Sequence, residues 1–318
     1  MQRTNTSAPM LIIRLLLSII FTLNSFSIQP HPIGFAISET KMVSAVPAKS
    51  KDFAFIIPGN LNTYIYREES EYYKDYQRSY FGITRMKGGW DCMRHYEILA
   101  NGCVPYFLDI DNCPSNTMYF LPKNLIKKAM SLPGVSYGKI DHKKFDKVKY
   151  YEILNKLMEH TRNHLTTRAM AHYLLKTMNY SGEGKVLILC QNNDVDYQKG
   201  CIVIGLKELL QDKAIDFPKL DHIYKDYQGD IKQLYGYGFS YSKVVDDYPT
   251  DRTNIEERIK NKEFEIIIYA YVHYGQMFYD SVLQNYPTTN IGYICGQDKH
   301  SCPYTHLPNL FLREYDSY

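Results

Sequence analysis

Apolar positions fall into short unbroken runs separated by longer stretches of helical period, and this pattern predicts alternating strands and helices. DFAFIIPG (52–59) reads as a strand closed by a Pro-Gly turn. REESEYYKDYQRSYFGIT (67–84) begins as a charged, tyrosine-rich helix and ends as a strand, and CVPYFLD (103–109) reads as a buried strand. A helix is expected from Pro122, and 150–178 keeps helical period throughout. PHPIGFAISETKMVSAVPAKS holds too many breakers for long elements and is expected to cross the surface.

The pattern restarts at Gly184. KVLILC (185–190) is a strand, QNNDVDYQKG a polar loop, and CIVIGLKELLQD a helix. DRTNIEERIKNKEF (251–264) is expected to be a helix capped by Asp251. EIIIYAYVHYG (265–275), MFYDSVLQNY and NIGYICGQD (290–298) follow as strand, helix and strand. Strand–helix spacing of this kind predicts an α/β fold with parallel sheets in two Rossmann-like halves. The expected division is a hydrophobic segment at 1–30, one α/β half at 31–149, a helical connector at 150–183 and a second α/β half at 184–318.

Residues 87–109, KGGWDCMRHYEILANGCVPYFLD, carry the densest chemistry. Gly88 and Gly89 allow a tight turn, Asp91 is a credible N-cap, and Asn101-Gly102 supplies the helix stop. Arg94 and Glu97, three apart, share one helical face. A helix start behind glycines attracts anions, and an Arg with a Glu on its first turns can hold a phosphate and a hydroxyl-rich ring. That combination suits a nucleotide-sugar. The alternative is a helix whose Arg and Glu pair on the surface.

R-x-x-E-x-x-x-x-G-C-x-P before an apolar strand resembles the donor-binding signature of exostosin-like and related GT-B glycosyltransferases. The match covers roughly residues 53–122, with Arg94, Glu97, Gly102, Cys103 and Pro105 at the motif positions. The resemblance implies a GT-B-like plan of two halves facing a cleft. The family's donor-binding half normally comes second, whereas the donor-like motif comes first here, so the halves are in permuted order or the chain is a piece of a longer protein. It implies an enzyme moving a sugar from a nucleotide-sugar donor to a glycan or other hydroxyl acceptor. Lys87, Gly88, Gly89, Arg94 and Glu97 would bind the donor. Retaining relatives often carry another glutamate eight positions before this one, where Gly89 stands here. His273 and Asp298, at expected carboxyl ends of strands, are the candidate catalytic bases. The competing class is a non-catalytic nucleotide- or glycan-binding module derived from a transferase half.

Composition changes this picture little. The 318 residues suit two ordinary domains, 45% apolar and 22% charged content is globular, and a net charge of +3 names no nucleic-acid partner. Thirty tyrosines against one tryptophan suit sugar and base stacking, the alternative being compositional bias. Seven cysteines with no C-x-x-C point to a reducing compartment, hence a cytoplasmic location. Residues 10–28 are hydrophobic but interrupted by Arg14, and membrane association through them is the alternative. Asp109 and Asp111 form a D-x-D, and Asp298, His300, Cys302 and His306 cluster late in the chain. Neither has the context of a metal site, so no metal and no other cofactor are expected. No Walker loop, nucleophile elbow or G-x-G-x-x-G after KVLILC is present.

Overall fold

A computed structural model describes residues 29–298 and 302–315. The chain opens with β1 (His31–Pro32), then β2 (Lys51–Phe53), helix α1 (Glu69–Arg78), β3 (Ser79–Thr84), α2 (Met93–Ala100) and β4 (Val104–Phe107). β2, β3 and β4 form a small parallel sheet in that order, joined through α1 and α2. All six residues of β3 are buried, as in a strand covered on both faces. Helix α3 (Lys123–Met130) and a short hairpin, β5 (Val135–Ser136) with β6 (Lys139–Ile140), follow.

The expected helix over 150–178 is two helices, α4 (Lys147–His164) and α5 (Thr167–Thr177). Thr166 breaks the run because its hydroxyl caps the second helix, accepting from the Ala169 amide at 3.2 Å. Beyond lie β7 (Lys185–Leu189), α6 (Tyr197–Leu210), β8 (Ala214–Phe217), α7 (Ile255–Lys260), β9 (Phe264–Tyr269), α8 (Tyr279–Asn285), β10 (Ile291–Cys295) and β11 (Leu310–Leu312). These strands and β1 build a six-stranded parallel sheet in the order β1-β11-β10-β9-β7-β8. Counted from β7, the last five run 2-1-3-4-5, so the order reverses between β7 and β9. In such sheets ligands sit beyond the carboxyl ends of the strands near that reversal. The protein is α/β with a mostly parallel central sheet, as the strand–helix spacing indicated.

Three local expectations are corrected. Residues 31–37, expected on the surface, run into the core: Ile33, Phe35 and Ile37 are buried, and the Ile33 amide donates to the Leu312 carbonyl at 3.1 Å. The 251–264 helix shrinks to α7, because Asp251 takes the Thr253 amide and hydroxyl at 2.8 and 2.7 Å and Asn254 is left-handed. The 265–275 strand ends at Tyr269, and a short turn of 3-10 helix carries Val272–Tyr274.

The expected location also needs correction. Among the described residues no helix is long and apolar enough to cross a membrane, and residues 10–28, on which membrane association rested, lie outside the described residues. The two sheets share one core, in which Ile33, Phe81, Leu154, Ile188 and Phe311 belong to a single packed cluster.

Candidate functional site

A cleft of about 900 Å³ opens where the carboxyl ends of the two sheets meet. The small sheet contributes Lys87–Gly89 after β3 and Arg94 and Glu97 on α2. The large sheet contributes Asp196 and Tyr197 at the start of α6, Tyr271 after β9, Gly296–Asp298 after β10 and Arg313 after β11. Much of the remaining wall is aromatic, including Tyr64, Tyr66, Tyr235 and Phe239. Five residues singled out for donor binding thus share one cavity with Asp298. His273 is not on its wall.

Arg94 is 9% exposed. Its Nη2 donates to the Tyr64 hydroxyl at 3.2 Å, while among the described residues its Nε and Nη1 have no hydrogen-bond partner. Burying a guanidinium with donors unsatisfied costs at least about 1–3 kcal/mol. Lys87 approaches the same Tyr64 hydroxyl at 3.5 Å. Burial acts to raise the Tyr64 pKa, but the Arg94 and Lys87 charges outweigh it and bring it below the ordinary phenol value. This wall therefore concentrates positive charge around a polarised phenol.

Glu97 is buried on the same helix and does not pair with Arg94 through a hydrogen bond. It accepts from the Tyr72 hydroxyl at 2.6 Å and from the Ser240 hydroxyl. Burial pushes its pKa up, with the Ser240 and Tyr72 hydrogen bonds opposing. Ser240 belongs to the loop before Val245, and its amide donates to Glu69 of α1 at 2.6 Å. Glu97 thereby ties α2 to the loop before Val245 at the cleft margin.

The glycine turn meets an internal anion. Backbone N–H groups of Trp90 and Asp91 donate to the Glu314 carboxylate at 3.1 and 2.8 Å. A Cβ on Gly89 would lie 2.5 Å from Glu314 Oε1, and one on Gly88 would lie 2.6 Å from Asp298 Oδ2. Neither glycine has a positive φ, so close approach of carboxylates, not a left-handed backbone, is what requires them here. Asp91 is not the N-cap: Cys92 holds that position, and the Asp91 carboxylate instead accepts from the Phe35 amide at 2.7 Å and the Tyr96 hydroxyl at 2.8 Å.

Arg313, 1% exposed, ties these pieces together. It donates to the Asp91 and Gly296 carbonyls, to Glu314 and to Asp298. Asp298 itself is exposed to the cleft, its side chain 55% accessible. Asp196 caps α6 by accepting from the Lys199 amide at 2.8 Å, and burial raises its pKa.

The other candidates lie elsewhere. Asp109 accepts from the Met86 amide and Asp111 pairs with Lys127 at 2.6 Å on the surface, so the D-x-D does not converge. His306 is exposed, and His300 lies outside the described residues. Cys302 instead meets His273 and Cys295, whose Nε2 and Sγ are 3.0 Å apart. None of the seven cysteines is in a disulfide. Sequence reasoning missed Tyr64, Asp196, Tyr271, Arg313 and Glu314. Only Asp196, inside the polar loop after KVLILC, stood where the strand-end rule directs attention.

No protein-family model, curated protein or solved structure matches this chain.

Proposed function

We propose that the cleft binds a nucleoside-diphosphate sugar and that the protein is a GT-B-like glycosyltransferase, its two α/β halves in permuted order. The observation that carries this reading is Arg94, a cleft-wall guanidinium with two nitrogens that have no partner among the described residues, beside Lys87 and the polarised Tyr64. A diphosphate would satisfy those donors, and the aromatic wall would receive a base or a sugar face. Asp298 is the cleft carboxylate available to deprotonate an acceptor hydroxyl, giving an inverting displacement. The sugar leaves the diphosphate as the acceptor oxygen attacks its anomeric carbon, and the hydroxyl proton passes to the base.

The alternative, a binding module without transfer, draws on Glu314. Its carboxylate occupies the backbone N–H groups that a phosphate would otherwise use at the glycine turn. The Glu97 carboxylate is likewise engaged, by Tyr72 and Ser240.

The test is a thermal-shift titration with UDP, GDP and their sugars, followed by a transfer assay for any nucleotide that binds. A shift abolished in Arg94→Ala, with transfer to a glycan, supports the transferase. Binding without turnover selects the module. No shift with any nucleotide in folded protein overturns the transferase and leaves the module in its glycan-binding form.

A further inference from the structure

A second constellation lies behind the cleft wall, at the carboxyl ends of β9 and β10. His273 sits in the turn after β9, Cys295 is the last residue of β10, and Cys302 follows on the segment leading to β11. The His273 Nε2 and the two Sγ atoms all lie within 4.8 Å of one another. Cys295 is buried to 1% exposure and Cys302 to 6%, while His273 is half-buried. None of the three lines the cleft.

We propose that His273 Nε2, Cys295 Sγ and Cys302 Sγ form a zinc-class metal site, independent of the nucleotide reading. The donor set selects the ion: two thiolates and an imidazole are the soft and borderline ligands that zinc takes, and a hard cation such as Mg²⁺ would want oxygens. Bond lengths of about 2.3 Å to sulfur and about 2.0–2.1 Å to nitrogen put tetrahedral ligand atoms about 3.5–3.8 Å apart. The His273–Cys295 separation of 3.0 Å and the 4.8 Å limit on the set bracket that spacing, so no ligand pair need change by more than about 1.3 Å to complete it.

Charge also balances. Each thiol releases its proton to solvent as its sulfur binds, so two thiolates neutralise the dication and the buried site carries no net charge. Among the described residues no fourth His, Cys, Asp or Glu joins the group, which gives a site of three protein ligands. The metal would pin the ends of β9 and β10 to the segment before β11. Gly296, Gln297 and Asp298, which leave Cys295 for the cleft wall, would be anchored at their root. The sequence hides this set, because the His is 22 residues from the first Cys and the spacing fits no finger or ribbon.

The test uses the full chain, purified under reducing conditions without chelator. Metal content by mass spectrometry should give one zinc per chain, and Co²⁺ added to metal-stripped protein should produce a thiolate-to-cobalt charge-transfer band. Cys302→Ser and His273→Asn should each weaken zinc affinity at least about tenfold, since even outer-shell changes cost about 10- to 100-fold. Cys113→Ser, which alters a cysteine outside the set, should bind as wild type. Circular dichroism of each variant separates lost ligation from lost fold. Folded wild-type protein that retains no zinc and gives no cobalt band overturns the site. So does a Cys295–Cys302 disulfide in alkylated peptides from the reduced-purified chain.

Discussion

Glu314 sets its carboxylate across the amides of Trp90 and Asp91, residues 224 and 223 positions earlier in the chain. The glycine turn of the small half is thus closed by an acidic side chain from the far end of the large sheet. Glu314→Gln keeps the shape but removes the charge that faces Arg313, and it should cost about 1–3 kcal/mol in urea unfolding. Gly89→Ala should cost a similar amount by forcing that carboxylate away. Gly88→Ala should be milder, because its neighbour is the exposed Asp298, which can swing aside. Equal effects from the two glycine variants would show that the carboxylate contact is not what constrains the turn.

Arg94 separates binding from stability. A buried cation without full partners can be replaced by an apolar chain of similar length at little cost, and such replacements are often neutral or stabilising by about 1–4 kcal/mol. Arg94→Met should therefore melt at or above the wild-type temperature while losing all nucleotide-induced shift. A melting temperature far below wild type would mean that the guanidinium is structural.

Asp298→Asn tests the proposed base. General-base removal lowers kcat by about 100- to 10,000-fold, and the KM for the donor should change little because the base acts on the acceptor. Unchanged kcat would move the base elsewhere in the cleft.

His95 gives a pH signature. It is fully buried, its Nε2 is 2.9 Å from the Trp90 carbonyl and its Nδ1 2.9 Å from the Thr84 hydroxyl. The ring donates to the carbonyl and accepts from the hydroxyl, so it is neutral, and burial pushes its pKa down to about 4 from the ordinary 6.5. Between those values the unfolded chain takes the proton first. The stability this group contributes is complete above the ordinary value and is lost as pH falls towards the folded one. Buried Asp91, Glu97 and Glu314 act in the opposite sense, since burial raises their pKa and their contribution is lost as pH rises through those raised values. The difference between wild type and His95→Gln isolates the histidine, and it should shrink by about 2 kcal/mol between about pH 7 and about pH 5. A difference constant over that range would refute the neutral, buried assignment.

Much of the large sheet was readable from KVLILC, EIIIYAYVHYG and NIGYICGQD, because strands buried on both faces are apolar throughout. AIDF escaped for a physical reason: Asp216 interrupts its apolar run, and only the fold shows that Tyr224 and Arg252 satisfy that carboxylate. Residues 31–37 escaped because Pro32 and Gly34 read as breakers, whereas an edge strand of two residues tolerates its proline. The cleft's small-half wall was legible since Lys87, Gly88, Gly89, Arg94 and Glu97 are close in sequence. Its opposite wall was not, for Asp196, Tyr271 and Arg313 come from three separate strand ends and share no spacing. His273 was expected at the end of the 265–275 strand, but β9 stops at Tyr269 and the ring sits in the 3-10 turn beyond, off the cleft wall.

The pairing of β1 with β11 has a consequence for biosynthesis. The small sheet has all its strands once β4 has left the ribosome, so it can form early. β1 emerges before any of them, yet among the described residues its sheet partner is β11, far later in the chain. Phe35 and Ile37 find earlier partners in Asp91 and Leu165, but the Ile33 amide donates to the Leu312 carbonyl and must wait for β11, which makes the β1 end of this stretch the place where a nascent-chain chaperone has longest to act.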